Sequence, residues 1–239
     1  MDSASPKRHQ LSVCASLSVL ALPFAALPNS ARAETISDEQ LWINLTAMGS
    51  VKDRLIYFAE FQPRMGDGMS RVDQAILRGA IGWKLSPSVS VYQGYAHVAV
   101  PIENGRDIHE HRTFQQLNWT LAAHKGTELT SRSRVEQRWR SNGSDMGWRL
   151  REMLRLETPF GSETAPVRAL VYGEAFVALN DTDWGARGGF DQMRSFVGTE
   201  VRVAGATTLE IGYLNQAINQ THGRTRINHV ASLSLFVRH

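Results

Sequence analysis

Between residues 113 and 121 apolar and polar side chains alternate. Leu117, Trp119 and Leu121 fall on one side, and Phe114, Gln116, Asn118 and Thr120 on the other. Successive side chains of a strand point to opposite faces, so this spacing predicts a β-strand with one apolar face. The pattern recurs. Val167, Ala169, Val171, Gly173, Ala175 and Val177 oppose Arg168, Tyr172, Glu174 and Asn180. Near the C-terminus Ile227, Ala231, Leu233, Leu235 and Val237 oppose Asn228, Ser232, Ser234 and Arg238.

Strand-like runs divided by turn signals cover residues 39–48, 54–63, 71–85, 88–100, 110–123, 127–140, 147–157, 166–179, 190–203, 206–217 and 225–238. Soluble strands average about 5–6 residues. Most of these runs are twice that, and reach the about 9–11 residues that a membrane-crossing strand needs. Length and alternation together predict an all-β fold, an antiparallel transmembrane β-barrel with its apolar face to lipid and its polar face to the lumen. Eleven runs are legible, but single-chain bacterial barrels carry an even number, so about 10–12 strands are expected, either 10 or 12. The run around Trp42 is the weakest.

The start of the chain says how such a barrel reaches its membrane. Lys7 and Arg8 precede an uncharged run from Leu11 to Leu27, and Ala31-Arg32-Ala33 offers small residues at a cleavage site. This is the order of a secretory signal peptide, with Glu34 as the first mature residue. Pro23 and Pro28 interrupt the run, which argues against a retained anchor. The expected division is therefore a signal peptide over 1–33 and one barrel domain over 34–239, located in the bacterial outer membrane. The one cysteine, Cys14, leaves with the signal, so no cysteine metal site or disulfide is expected. Lys7, Arg8, Arg32 and Asp2 leave too, so the net charge of +3 falls to about +1, which removes any case for a nucleic-acid partner.

The charges of the mature chain are patterned. Glu128, Arg132, Arg134, Glu136, Arg138 and Arg140 share one face of their run, opposite Leu129, Val135 and Trp139. Arg149, Arg151, Arg155 and Glu157 share a face of the next, and Arg194, Glu200 and Arg202 of a later one. Arginine and glutamate on many neighbouring strands fit a lumen cross-linked by ion pairs. One residue resists this register. Glu152 falls on the lipid side between Leu150 and Leu154, where a carboxylate is costly. A short helix over 146–157, or a bulge near Glu152, would relieve it; the strand reading is kept because both flanking segments are strands. Loop lengths alternate: short connections at 49–53, 86–88, 124–126 and 204–205, and longer ones at 102–109, 141–146, 181–189 and 218–224. With the C-terminus in the periplasm, the longer set faces outward.

A series of short motifs has a familiar order. Trp42 comes first, then Glu110-His111-Arg112 before Gln115-Gln116-Leu117, and Arg132 to Arg138. Glu174-Ala175-Phe176 precedes Asn180, Gly189 to Arg194 precedes Gly198, and Glu210 to Gln216 precedes Asn228-His229. This order resembles a family of exported bacterial proteins grouped as domain of unknown function 2490, over about residues 38–238. The resemblance implies an outer-membrane β-barrel and no particular activity. The chain departs from the usual outer-membrane ending, closing on Phe236-Val237-Arg238-His239 rather than on an aromatic residue. Its expected partners are outer-membrane lipids and the barrel-insertion machinery.

Two classes of function follow. In the first, Arg112, Arg132, Arg134, Arg138, Arg140, Arg149, Arg151, Arg155 and Arg194 line a narrow channel for small anions or acidic sugars. That arrangement resembles the monomeric porins that pass acidic oligosaccharides along arginine tracks. Its bland counterpart is a filled barrel, in which Glu136, Glu174, Glu210 and other glutamates neutralise those arginines. In the second class the barrel is an outer-leaflet lipid hydrolase or acyltransferase. Ser195, Asn215 and His229 take the lipid-facing register on three consecutive runs, but Ser195 and His229 stand two strands apart, about 9–10 Å. That spacing is too long for a nucleophile and its base. No phosphate loop, zinc motif or calcium loop is legible, and no cofactor is expected. Asp181-Thr182-Asp183 reads as a solvated turn or a weak cation site, and His109 and His111 as surface residues.

Overall fold

The computed structural model describes residues 35–220 and 223–239. The predicted cleavage site and signal lie outside the described residues. Eleven strands follow one another: β1 (Thr35–Lys52), β2 (Leu55–Gly66), β3 (Arg71–Lys84), β4 (Val89–Val100), β5 (Ile108–His124), β6 (Thr127–Arg140), β7 (Gly147–Pro159), β8 (Val167–Ala178), β9 (Gly189–Ala204), β10 (Thr207–Asn219) and β11 (Thr225–Arg238). Each pairs with its sequence neighbours, and the sheet closes into a barrel through β1 and β11.

The closure corrects the expected even count. In an up-and-down meander with an odd number of strands the first and last run the same way. They close only through a parallel ladder, and β1 pairs β11 in parallel from Thr35↔Thr225 to Met48↔Arg238. The neighbouring pairs are antiparallel. The chain therefore enters β1 at one end of the barrel and leaves β11 at the other. Asp38 pins the seam: its carboxylate accepts from Arg226 Nη2 at 3.0 Å on β11, and from the amide of Gly68 at 3.2 Å in the next loop. The run around Trp42, weakest in the sequence, becomes the longest strand at 18 residues. Its signal is faint because Gln40, Asn44 and Thr46 are polar but buried beside Trp42.

β7 is a strand, not a helix, and its register with β6 has no bulge. Glu152 stays on the outward face, where Ser131 Oγ and Ser133 Oγ each donate to it at 2.5 Å. Loop alternation is looser than expected. The 67–70 loop on the long-loop side is short, and the 160–166 connection on the other side is long.

The two faces of the wall differ. Outward side chains are large and apolar: Leu77 and Ile81 are 62% and 63% exposed, and Phe61, Trp83, Leu154, Val197 and Ile211 are exposed too. The inward face is filled. One apolar cluster joins Trp42, Leu170, Phe196, Leu214 and Val230, and a second joins Ile56, Phe58, Ala80, Tyr92 and Phe114. Phe114 reaches across to β4, where a Cβ on Gly94 would stand 2.1 Å from its ring. Only a glycine lets the ring lie flat against that backbone.

Candidate functional site: the charged lumen

Strand alternation puts Glu110, Arg112, Arg132, Arg134, Glu136, Arg138, Arg140, Arg149, Arg151, Arg155, Glu174, Arg194 and Glu210 on the inward face. Ion pairs that skip strands fix that direction. Arg132 Nη2 on β6 donates to Glu174 Oε1 on β8 at 2.9 Å, and Arg155 Nη2 on β7 to Glu210 Oε1 on β10 at 2.6 Å. Such contacts span the interior.

Three carboxylates act as hubs. Glu110 Oε1 accepts from Arg112 Nε at 2.7 Å and Arg138 Nε at 2.6 Å, and its Oε2 lies 3.8 Å from Arg140. Glu136 accepts from Arg149 Nη2 at 2.5 Å and Arg151 Nη1 at 2.7 Å. Glu174 accepts from Arg151 Nη2 at 2.6 Å and stands 3.7 Å from Arg194. Arg151 thus bridges two hubs, and the guanidinium fork suits that double role. Arg155 similarly joins Glu157 at 2.6 Å to Glu210. Glu136 and Arg134 are 1% and 2% exposed along their side chains. Charges so buried persist only when paired and hydrogen-bonded.

Arg134 departs from the pairing the sequence suggests. Its Nε and Nη2 donate to Gln116 Oε1 on β5, the former at 2.8 Å, rather than to a carboxylate on a neighbouring strand. Its remaining nitrogen, Nη1, is 3.7 Å from Glu136 and has no hydrogen bond. The guanidinium instead lies 4.4 Å above the Phe114 ring. Arg194 stands 5.0 Å over Trp42 and 4.6 Å over Phe176. The alternation over 113–121 places Phe114 on the polar face, whereas Trp42 and Phe176 were missed as lumen components, although each sits on the polar register of its strand. An aromatic on a polar register beside arginines is the signal that finds them, because the ring face attracts the cation.

At the long-loop end the loop between β8 and β9 packs over lumen arginines. Trp184, between β8 and β9, is 8% exposed and lies 5.0 Å from Arg138 and 5.4 Å from Arg140. Its indole nitrogen donates to the Asp145 carbonyl at 2.8 Å. A Cβ on Gly147 would come within 2.5 Å of the ring, so the glycine makes its seat. Asp183 fastens the same loop, accepting from the Ser144 amide at 2.7 Å and hydroxyl at 2.9 Å. These bonds favour the charged form and hold the carboxyl below its ordinary value of 3.8. Asp181 accepts from the Gly188 amide at 2.7 Å. Both acids are thus turn-fastening groups, and no cluster of three potential metal ligands occurs among the described residues.

The short-turn end holds a cavity of about 460 Å³, mixed in character, with Lys84, Arg132, Arg155 and Arg238 set among Met48, Phe58, Met153 and Phe236. Its inner wall is Tyr92, Gln116 and Arg134.

Ser195, Asn215 and His229 lie on one cross-strand row of the outward face, with Asn215 in the middle. His229 Nδ1 meets Tyr213 Oη at 2.7 Å instead of a serine. The row places no base beside the nucleophile.

A family model described as a protein of unknown function (DUF2490) matches residues 39–228. An uncharacterized protein of Methylorubrum extorquens is 46% identical over 232 residues, covering 97% of this chain and 99% of that one. No solved structure matches.

Proposed function

From a chain that belongs to the DUF2490 family and whose barrel interior is crossed by apolar clusters and ion pairs, we propose an outer-membrane protein with a sealed lumen, not an open anion channel. The carrying observation is the ion lattice itself. Most of the inward arginines spend their charge on Glu110, Glu136, Glu174 and Glu210. Arg134 and Arg64 lie against amides and aromatic rings, and Trp184 packs over Arg138 and Arg140 at the long-loop end. Anion selectivity needs fixed positive charge that a permeating ion can reach. A guanidinium already bonded to a carboxylate offers little. The short-turn end keeps a vestibule of about 460 Å³.

Three features support the membrane reading. The outward face exposes large apolar side chains on each of the eleven strands, interrupted by polar rows, far more than the scattered patches that soluble monomers show. The strands are long enough to cross a bilayer. The first 33 residues read as an export signal.

Reconstitution of the purified protein into planar bilayers tests the seal. Silence across the physiological voltage range is expected. A steady anion-selective current overturns the sealed barrel in favour of the channel. Fractionation tests the location: the mature chain is expected in the outer-membrane fraction with Glu34, or a residue close to it, at its N-terminus. Recovery in the soluble fraction without detergent, or a product retaining Cys14, sinks the location.

A further inference from the structure

The outward face is not apolar all the way round. On β3 it shows Leu77, Ile81 and Trp83, on β8 Val171 and Val177, and on β11 Leu233 and Leu235 beside the short polar row of Ser195, Asn215 and His229. On β4 to β6 it shows a row of amides. Thr113 Oγ1 donates to Gln137 Oε1 at 2.7 Å. Gln137 Nε2 donates to Gln115 Oε1 at 3.0 Å, and Gln115 Nε2 to Gln93 Oε1 at 2.9 Å. On β7 Glu152 follows, held by its two serines.

Resting on the membrane reading above, we propose that this sector is where two copies of the chain meet side by side in the bilayer. A primary amide carries two N–H groups and two acceptor sites. Gln115 and Gln137 each spend one N–H along the row. Gln137 is buried, so it is the second N–H of the exposed Gln115 that is left for a partner, and lipid tails offer no acceptor. Polar side chains on one wall of a membrane protein are satisfied by a neighbouring protein surface. Gln93 and Gln115 stand near the middle of β4 and β5, away from the lipid headgroups at the barrel rims.

A second copy has the matching chemistry. Amides are self-complementary, donating and accepting alike, so one amide row can pair with another. A two-fold axis along the membrane normal, passing between β5 and β6, sets β7 of one copy against β4 of the other. The edge carrying Glu152 then faces the edge carrying His97, His109 and His111. Those histidines cluster with rings about 5.2–5.3 Å apart. A carboxylate that pairs with no lysine or arginine among the described residues thus approaches a group of titratable bases. The surface also has relief. A groove of about 620 Å³ beside the row, between Trp83, Leu117 and Val135, reaches Gln93, Gln115 and Ser133. It can receive side chains of the facing copy.

Cysteine cross-linking reads the geometry. Cys14 is the one native cysteine, so Gln115→Cys and Ser133→Cys are made in a Cys14→Ser background, with Ala231→Cys on the far wall as the comparison. With a short bismaleimide reagent in outer-membrane vesicles, the first two are expected to give a covalent dimer of this chain and the third none. In detergent, the wild-type chain is expected to sediment as a dimer and the Gln115→Leu, Gln137→Leu double variant as a monomer of unchanged fold. A membrane-inserted wild-type chain that is monomeric, or cross-links as readily through Ala231→Cys, overturns the interface and leaves the membrane reading standing. Cross-linking of Gln115→Cys to a different protein also overturns it. Failure to fractionate with membranes overturns both.

Discussion

The barrel wall carries two polar networks, one on each side of the same strands, and they are built differently. Inside, β5 to β10 hold a charged lattice in which Glu110, Glu136 and Glu174 each serve two or three arginines. Outside, β4 to β7 hold a mostly neutral row of amides and hydroxyls ending at Glu152. The inner network is nearly saturated: among the described residues its buried nitrogens lacking a hydrogen bond are one on each of Arg134, Arg140 and Arg194. The outer network leaves donors over. A lattice of opposite charges within one chain closes on itself. A row of amides is satisfied along its length and unsatisfied along its edge. The first suits a plug and the second a surface that something else covers.

The largest effect is expected where the inner network converges. Glu136→Gln removes one negative charge, leaving buried Arg149 with Asp191 alone at 3.4 Å and buried Arg151 with Glu174 alone. Breaking a buried ion pair from one side costs about 3–5 kcal/mol. Urea unfolding in detergent, followed by the loss of the compact band on unheated gels, measures it. Gln115→Leu removes polarity from an outward-facing position and is expected to cost the isolated barrel almost nothing. Equal losses in the two variants would erase the distinction between the networks.

Next comes the cap. Trp184→Ala removes a ring packed over Arg138 and Arg140 and seated on Gly147. The cost is expected at about 2–3 kcal/mol, on the low side for an aromatic truncation because loops form part of the site. Conductance is expected to stay at zero, because Phe114, Phe176 and the ion lattice still fill the lumen below. A current in this variant would make Trp184 the sole seal, and the lattice a charged path rather than a plug.

Much of this was legible in the residues. Ten of the eleven strands announce themselves by alternation, because one face is apolar and the other is not. β1 is faint for the opposite reason: Gln40, Asn44 and Thr46 sit around a single buried Trp42 and blur the contrast. The parity was misread because the even-number rule describes barrels that close antiparallel, whereas a parallel β1–β11 seam carries no sequence mark of its own. The arginines and glutamates of the lumen were readable from register alone. Their partners were not: the capture of Arg134 by Gln116 and Phe114 depends on which side chains meet across the interior, a matter of barrel shear. Glu152 was legible as a conflict, and the serines that relieve it lie one strand away.

The odd strand number yields a third, smaller effect, on topology rather than energy. β1 starts at the long-loop end and β11 stops at the short-turn end. If the long loops face outward, a short epitope placed before Thr35 in the mature chain is expected to be surface-accessible on intact cells. One placed after His239 is expected to be reached only after permeabilisation. Both tags behaving alike would contradict the parallel seam.

The smallest effect belongs to the fastening of the cap. Asp183 is solvent-facing, and its carboxyl is held below its ordinary value of 3.8 by the hydrogen bonds from Ser144. A group whose folded value is depressed adds stability above its unfolded value and loses it as the pH falls through the folded one. The 179–188 loop should therefore stay docked from neutral pH down to about pH 4, and loosen only below that, as Asp183 takes up its proton. The emission of Trp184 reports the change, provided the other tryptophans are replaced by phenylalanine. Asp183→Asn keeps an acceptor but loses the charge, so its emission is expected to be flat through that acid range and shifted slightly towards the undocked value throughout. The inner lattice has no part in this, since Glu136 is shielded below the cap. Loosening that begins near neutral pH would place the controlling charge in the lattice instead and join the cap to the network beneath it.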